Sequence, residues 1–264
     1  MSDVRKPKVS IVTPAYNAED LIGSTIQAVI NQTFSEWELL IVDDCSTDST
    51  REVVDGWVSR FDNIHLISLE KNFGGPAGPR NVGVEVARGD YVAFLDADDI
   101  WHPKKLEIQV AILDSNEADF VCSKMKDFTS EEDVEFPDIG EFGLESVSFR
   151  QQSLRARIPT SSVVVRRELL KANPFRELAS YKAVEDYDCW LRILQRTPEC
   201  IKISTPLLFY RRIEGQISGS KLYMMRKVFM VHRKFPGRSL IDAALLTGSH
   251  VIGGIYFRHF RKGM

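Results

Sequence analysis

Within its first hundred residues the chain switches repeatedly between short apolar runs and stretches of helical period, and few architectures accept that pattern. Val9–Thr13 is an apolar run, followed by Leu21, Ile22, Thr25, Ile26, Val29 and Ile30 at helical spacing. Glu38–Asp43 (ELLIVD) reads as a second strand. Ser49 and Glu52 then form a capping-box pair ahead of Val53, Val54, Trp57 and Val58. Ile64–Leu69 is a third strand, Arg80–Arg88 a third helix, and Tyr91–Leu95 (YVAFL) a fourth strand that stops at Asp96. Pro103 suits the first turn of a helix bearing Leu106, Val110 and Leu113. Repeated βα units of this length predict an α/β fold with a doubly wound, mostly parallel sheet.

The second half is less regular. Phe120–Cys122 and Ser161–Val165 read as strands, and Ala183–Gln195 as a helix with Trp190, Leu191 and Leu194 on one side. Ile201–Ser204 and Leu207–Tyr210 read as two short strands. Between these elements, Asp127–Phe149 holds eight acidic residues, no basic one and no clear period, which suggests an excursion rather than a domain.

Charge divides the chain unevenly. Residues 211–264 hold 11 basic and 2 acidic side chains, leaving 23 basic and 35 acidic for residues 1–210. An acidic body with a basic tail is hidden inside a net charge of −3. At 44% hydrophobic, disorder and collagen are excluded. Cys45, Cys122, Cys189 and Cys200 are scattered without a CxxC pair and read as ordinary reduced thiols. The opening MSDVRKPKVSIV lacks a signal-peptide layout. The longest apolar run, Leu240–Phe257, has 18 residues and is interrupted by Asp242, His250 and three glycines, marginal for a span of about 20. The expectation is a cytoplasmic protein, peripheral at the inner face of the cytoplasmic membrane.

In open α/β sheets ligands bind beyond the carboxyl ends of the strands. After the first strand come Pro14, Tyr16 and Asn17; after the second, Asp43, Asp44 and Ser46; after the third, KNFGGPAGPRN; after the fourth, DADD. Such a rim could hold a nucleotide, with Tyr16 against the base, a carboxylate on its amide N–H, and a divalent metal at Asp96/Asp98 on the phosphates. Each feature has a plainer reading when taken singly. Tyr16 could be a half-buried packing residue, Asp43–Asp44 before CSTDST mere turn and cap chemistry, and NFGGPAG a set of turn formers with neither GxGxxG nor Walker A spacing. DADD is harder to dismiss, because three carboxylates in four residues repel one another unless solvated or bridged by a cation.

The combination decides. VSIVTPAYNAEDLIGSTIQAVINQTF, ELLIVDDCSTDST, GPRNVGVEVARGDYVAFLDADD and VEDYDCWLRIL occur in that order, and with them the sequence resembles glycosyltransferase family 2 from about Val9 to Ser220. The resemblance implies an inverting, nucleotide-sugar-dependent enzyme of GT-A fold, with a Rossmann-like nucleotide-binding half, an acceptor half and a C-terminal helical tail. By similarity Pro14, Tyr16, Asn17 and Asp44 would hold uracil, with Asp43 nearby. Arg80 and Asn81 match the pair beside the nucleotide. Asp96 and Asp98 match the DXD motif; Asp98 would ligate Mg²⁺ or Mn²⁺ on the diphosphate, and Asp96 would face the ribose side while sharing the metal site. Asp99 would cap the following turn or support the metal ligands from behind. Glu185 and Asp186 match the family's ED pair, with Asp186 as general base and Asp188 as the fallback.

The stretch YRRIEGQISGS departs from the family pattern, since Ile213 stands where a histidine is frequent; Arg211, Arg212 and Ser218 remain candidates to clamp the diphosphate. The QxxRW signature of processive synthases is missing, so one sugar per encounter is expected. The resemblance implies a UDP-sugar donor and a glycan or lipid-linked acceptor in surface polysaccharide synthesis. Residues 1–236 would be the catalytic domain. Residues 237–264 would be a basic, amphipathic tail contacting anionic membrane, against the alternative of a helix packed on the domain. Nucleic acid is a poor partner for an acidic body without a basic-aromatic surface. The rival functions are a sugar nucleotidyltransferase, which would place a glycine-rich phosphate loop where TPAYNAED stands, and a non-catalytic glycan- or nucleotide-binding module.

Overall fold

A computed structural model describes residues 6–213 and 221–260 of the chain. Strands β1 (Val9–Ala15), β2 (Trp37–Asp43), β3 (Ile64–Ser68) and β4 (Tyr91–Phe94) alternate with helices α1 (Ile22–Ile30), α2 (Thr50–Val58) and α3 (Ala77–Val86). They pair in parallel in the order β3-β2-β1-β4, with Ile11 opposite both Leu39 and Ala93. The strands are apolar nearly end to end because both faces are covered. Ile11, Leu39 and Ile41 pack with Ile22 and Ile26 of α1 on one face. Val12, Leu40 and Val42 pack with Val84 of α3 on the other.

Beyond β4 the sheet becomes mixed. β5 (Ile100–Trp101), α4 (Lys105–Asp114), β6 (Phe120–Phe128), β7 (Leu144–Val147), α5 (Phe149–Leu154), β8 (Val164–Arg166), α6 (Arg167–Ala172), α7 (Glu185–Ile193) and β9 (Cys200–Arg211) follow in the chain. β8 inserts antiparallel between β4 and β6, and β9 runs parallel to β6. The two short strands expected near residue 205 are one strand, β9, whose register against β6 slips between Ser123 and Met125. Pro206 lies in that slip; lacking an N–H, it cannot continue the ladder, and the irregularity absorbs it. The acidic excursion is partly regular: β7 pairs antiparallel with the first residues of β9.

The Ser49–Glu52 capping box does not form. Ser49 makes no side-chain cap bond, and Asp48 Oδ1 instead accepts the Thr50 N–H at 3.0 Å. A capping box forms at Ser148 and Gln151, ahead of α5.

An aromatic cluster holds α7. Phe94, Phe120 and Phe175 surround Trp190 with ring centroids 5.2–6.0 Å from it. The apolar side of α7 is thereby clamped, and its first turn, which carries Glu185 and Asp186, is held at the sheet's carboxyl edge. Helix α8 (Lys221–Lys234) packs Val231, with Phe235 just beyond it, on Tyr181, Val184, Tyr187 and Leu191. Helix α9 (Leu240–Phe260) lies against α8 and α5. No helix among the described residues is long and apolar enough to cross a membrane.

Candidate active site

Strand order reverses direction between β1 and β4, and a crevice opens beyond their carboxyl ends. The cleft there has a volume of about 690 Å³. Pro14, Tyr16, Asn17, Asp44, Asp96 and Asp98 line it together with the 74–76 turn. Tyr16 is 53% exposed, an aromatic face left open at the rim.

Backbone bonds sew this rim. The Asp44 N–H donates to Ala15 O at 2.8 Å, Asn17 N–H donates to Ser46 Oγ at 3.0 Å, and Asn17 Oδ1 accepts from Thr47 N–H at 2.8 Å. Asn17 takes φ +49, a left-handed value that asparagine tolerates better than most residues. Asp44 Oδ1 accepts from Phe73 N–H at 2.8 Å and its carbonyl accepts from Asn72 Nδ2 at 2.6 Å. Burial pushes the Asp44 carboxyl above its usual range against those backbone bonds. Asp43 turns the other way: fully buried, it accepts from Arg51 Nε at 2.6 Å and from Ser46 N–H, so it braces the start of α2 and does not line the cleft.

Arg80 is the hinge of the site. Carried by α3 and 3% exposed, it donates from Nη2 to Asp96 Oδ1 at 2.7 Å and from Nη1 to Glu185 Oε1 at 3.3 Å. Burial alone would lower its pKa; the carboxylates of Asp96, Glu185 and Asp186 more than offset that and keep the guanidinium charged. Burial, and then the adjacent Asp186 charge, push Glu185 up to about 7 against the pull of Arg80. Its Oε2 is buried without a partner among the described residues, and the residue borders a neighbouring pocket of about 280 Å³.

Asp186 is half-buried at the head of α7. Its Oδ2 accepts from the Thr160 hydroxyl at 2.7 Å, and Oδ1 accepts from the Tyr187 N–H at 2.6 Å. Thr160 in turn accepts from Trp190 Nε1 at 3.2 Å, so the carboxylate is oriented from the core. Asp188 is occupied elsewhere, bonded to Arg176 at 3.0 Å and Arg192 at 2.8 Å.

The DADD turn is held from behind. Thr25 Oγ1 donates to Ala97 O and Asp99 O, and Arg211 donates from its N–H to Asp99 Oδ1 and from Nε to Asp98 O. Burial, then the charges of Asp98 and Asp96, hold the fully buried Asp99 carboxyl well above its ordinary range. Asp98 is pushed up to about 6 by burial and by Asp96 beside it. No group of three or more His, Cys, Asp or Glu among the described residues forms a metal cage. Two carboxylates at the floor of an open cleft nonetheless fit a hard cation that takes its other ligands from phosphate and water.

Three expected residues sit apart from this cleft. Asn81 Nδ2 donates to Phe175 O and Glu177, and its Oδ1 accepts from Phe175 N–H, so it orders the 175–177 loop. Arg211 braces the DADD turn and pairs with Glu131, and Arg212 pairs with Asp127; both line a shallow groove beside Asn17 and Asp48. Ser218 lies outside the described residues. Thr160 and Lys182 were absent from the sequence expectation, and Asn72 entered it only within the KNFGGPAGPRN stretch. Nothing local marks Thr160, whose role depends on β8 placing it against α7.

The model of the family described as "Glycosyl transferase family 2" matches residues 10–172. The chain belongs to this family. It is therefore a glycosyltransferase, and the match spans both the β1–β4 crevice and the DADD turn. A UDP-Glc:alpha-D-GlcNAc-diphosphoundecaprenol beta-1,3-glucosyltransferase of Escherichia coli, WfgD, is 32% identical over 93% of this chain and 93% of its own length. The structure of TarS residues 1–349 from S. aureus in complex with UDP-GlcNAc superposes with a TM-score of 0.70, at 24% identity over 96% of this chain and 74% of that one. The mannosyltransferase PcManGT from Pyrobaculum calidifontis, in complex with GDP-Man and Mn²⁺, gives 0.63 at 17% identity over 97% and 71%. The mixed α/β sheet is accordingly the GT-A fold of these glycosyltransferase structures.

Proposed function

We propose that the chain moves one sugar, with inversion, from a UDP-sugar to a hydroxyl of a glycan or lipid-linked saccharide in surface polysaccharide synthesis. The observation that carries this reading is the Arg80 bridge, which joins Asp96 of the donor cleft to Glu185 of the ED pair. Donor-binding and base-bearing elements, far apart in the chain, are thereby one electrostatic unit.

The donor's base would stack on the exposed face of Tyr16, with the Asp44 carboxylate receiving its amide N–H. Asp98, with Asp96 beside it, would hold Mg²⁺ or Mn²⁺ against the diphosphate, where the cation offsets the charge of the leaving group. Asp186 takes the proton of the acceptor hydroxyl as that oxygen attacks the anomeric carbon opposite the diphosphate. The Thr160 hydroxyl holds the Asp186 carboxylate in one orientation through Oδ2, and the helix start stabilises its negative charge. A base so placed contributes about 10²–10⁴-fold. Glu185, held by Arg80, borders the pocket beside Lys182 and fixes the guanidinium that also holds Asp96.

A membrane contact through residues 237–264 completes the reading. Ala243 and Thr247 of α9 are buried toward the domain, whereas Ile241, Leu245 and Ile252 are 71%, 68% and 70% exposed. Exposed Arg233 and Lys234 end α8, a few residues before α9 in the chain. Such a helix lies in the headgroup region of an anionic leaflet, where a lipid-linked acceptor would be met.

The test is a panel of nucleotide sugars with Mn²⁺ or Mg²⁺, read as nucleotide binding and as release of UDP. Metal-dependent turnover of a UDP-sugar is expected. Donor binding that needs no metal and survives Asp98→Ala would remove the metal assignment.

A further inference from the structure

Two cavities meet at Lys182. The nucleotide cleft and the 280 Å³ pocket in front of Glu185 share Gly74, Gly75, Pro76 and Lys182 as walls. Asp44, Asp96 and Asp98 line the cleft, and Lys182 is the one cationic side chain among its described lining residues. Three arginines nearby are committed: Arg80 to Asp96 and Glu185, Arg176 to Asp188, Arg211 to Glu131. The Lys182 ammonium has no hydrogen bond or ion pair among the described residues.

The backbone goes to some cost to put it there. Lys182 follows a single 3₁₀ turn, Ala179–Tyr181, and precedes Ala183 at φ +73, a left-handed conformation that an alanine rarely adopts. The Val184 N–H closes the turn on Tyr181 O at 2.9 Å. The effect is that Lys182 faces the 74–76 turn, where a Cβ on Gly75 would lie 3.8 Å from Lys182 Cγ, while Glu185 three residues later enters α7. A cation and the ED pair are thus delivered from opposite ends of one strained turn.

We propose that Lys182 binds a phosphate oxygen of a substrate diphosphate at the junction of the two cavities. This rests on the transferase reading above and adds to it a ligand for the diphosphate charge, from the one cationic side chain among the described residues that line the cleft. A UDP donor brings a diphosphate into a cleft walled by three carboxylates, and a lipid-linked acceptor of the sugar-diphosphate class brings a second one. An ammonium on a flexible stem suits either, because it is a point charge with three rotatable donors and demands no fixed fork geometry. The pocket on the Glu185 side, with Phe73 and Leu178 as apolar walls, has room for the sugar attached to such a phosphate.

Lys182→Gln and Lys182→Arg in the full chain separate the outcomes. Binding of UDP with Mn²⁺ is measured by calorimetry. The KM is then measured for two acceptors, a sugar diphosphate on a short alkyl chain and the same sugar as a neutral alkyl glycoside. Loss of one charge-assisted bond is worth about tenfold. A tenfold weaker UDP affinity in Lys182→Gln, restored by Lys182→Arg, assigns the donor phosphate. An unchanged UDP affinity with a tenfold higher KM for the diphosphate acceptor alone assigns the acceptor phosphate. If Lys182→Gln stays within twofold of wild type in both, the proposal is wrong. If the wild-type chain neither binds UDP nor turns over a UDP-sugar, the transferase reading falls first and this one with it.

Discussion

Arg80 Nη1 lies 3.3 Å from Glu185 Oε1, and the two residues are separated by 105 positions in the chain and buried from solvent. The same guanidinium holds Asp96 at 2.7 Å. Removing it leaves one buried and one half-buried carboxylate facing each other without a cation. Arg80→Ala should cost about 3–5 kcal/mol, the penalty for breaking a buried pair, and should also abolish turnover. Thermal unfolding and UDP release check the two effects. Arg80→Lys keeps the charge but spans only one carboxylate at a time, so stability should recover further than activity.

Asp186 and Thr160 make a graded pair. Asp186→Asn should retain UDP binding and lose about 10²–10⁴-fold in kcat. Thr160→Val keeps the size and removes the hydroxyl that aims Oδ2, so it should lower kcat by about tenfold with UDP affinity unchanged. An Asp186→Asn protein that still transfers sugar at the wild-type rate would dismiss Asp186 as base.

The buried histidines beneath α7 set an acid limit to stability. Tyr187 Oη contacts His250 Nε2 at 2.7 Å and His232 Nε2 at 3.3 Å, and Arg238 approaches the other ring nitrogen of His232. Burial, then the Arg238 and His250 charges, push His232 down to about 3. Burial pushes His250 down to about 4, with Arg155 and Arg238 adding to it and a bond to Ser153 O opposing. Both rings are neutral in the folded chain and take protons near pH 6.5 once unfolded. Their contribution is therefore complete above pH 6.5 and is lost as pH falls toward 4. The melting temperature should drop between pH 7 and pH 5, and His250→Gln should shrink that drop even if it lowers the starting value.

The outward face of α9 predicts a vesicle phenotype. Ile241→Asp with Leu245→Asp and Ile252→Asp places three charges on side chains already in solvent, so folding and UDP binding should be retained. Co-sedimentation with vesicles containing anionic phosphatidylglycerol should be lost, and vesicles of phosphatidylcholine alone should bind weakly in either case. Unchanged co-sedimentation would mean that this face is not the membrane contact. Concentration-dependent dimerisation that the triple variant removes would assign it to a second copy instead.

Much of this was legible without coordinates. The four strands β1–β4 and the helices between them announce themselves because a sheet covered on both faces requires apolar runs and amphipathic helices in alternation. The carboxyl-end residues Pro14, Tyr16, Asp44, Asp96 and Asp98 follow from that order alone, since strand ends in a parallel sheet share one edge. Local chemistry misled at two points: Asp48 rather than Ser49 met the first amide of α2, and β9 carried Pro206 within a register slip instead of breaking there.

What stayed hidden depended on long-range contacts. Asp43 and Asp44 are adjacent and chemically identical, yet strand alternation sends one to Arg51 and the other to the cleft. Asn81 follows Arg80 by one residue and points to another loop. The residue order by itself determined the parallel β1–β4 half of the sheet, the edge at which its polar residues gather, and the family. Only the tertiary structure decided which carboxylates Arg80 joins, which hydroxyl aims Asp186 and which lysine stands uncommitted between the cavities. The reason is physical: hydrophobic period is a local property that any short window displays, whereas an ion pair across 105 residues exists only after the core has brought both ends together.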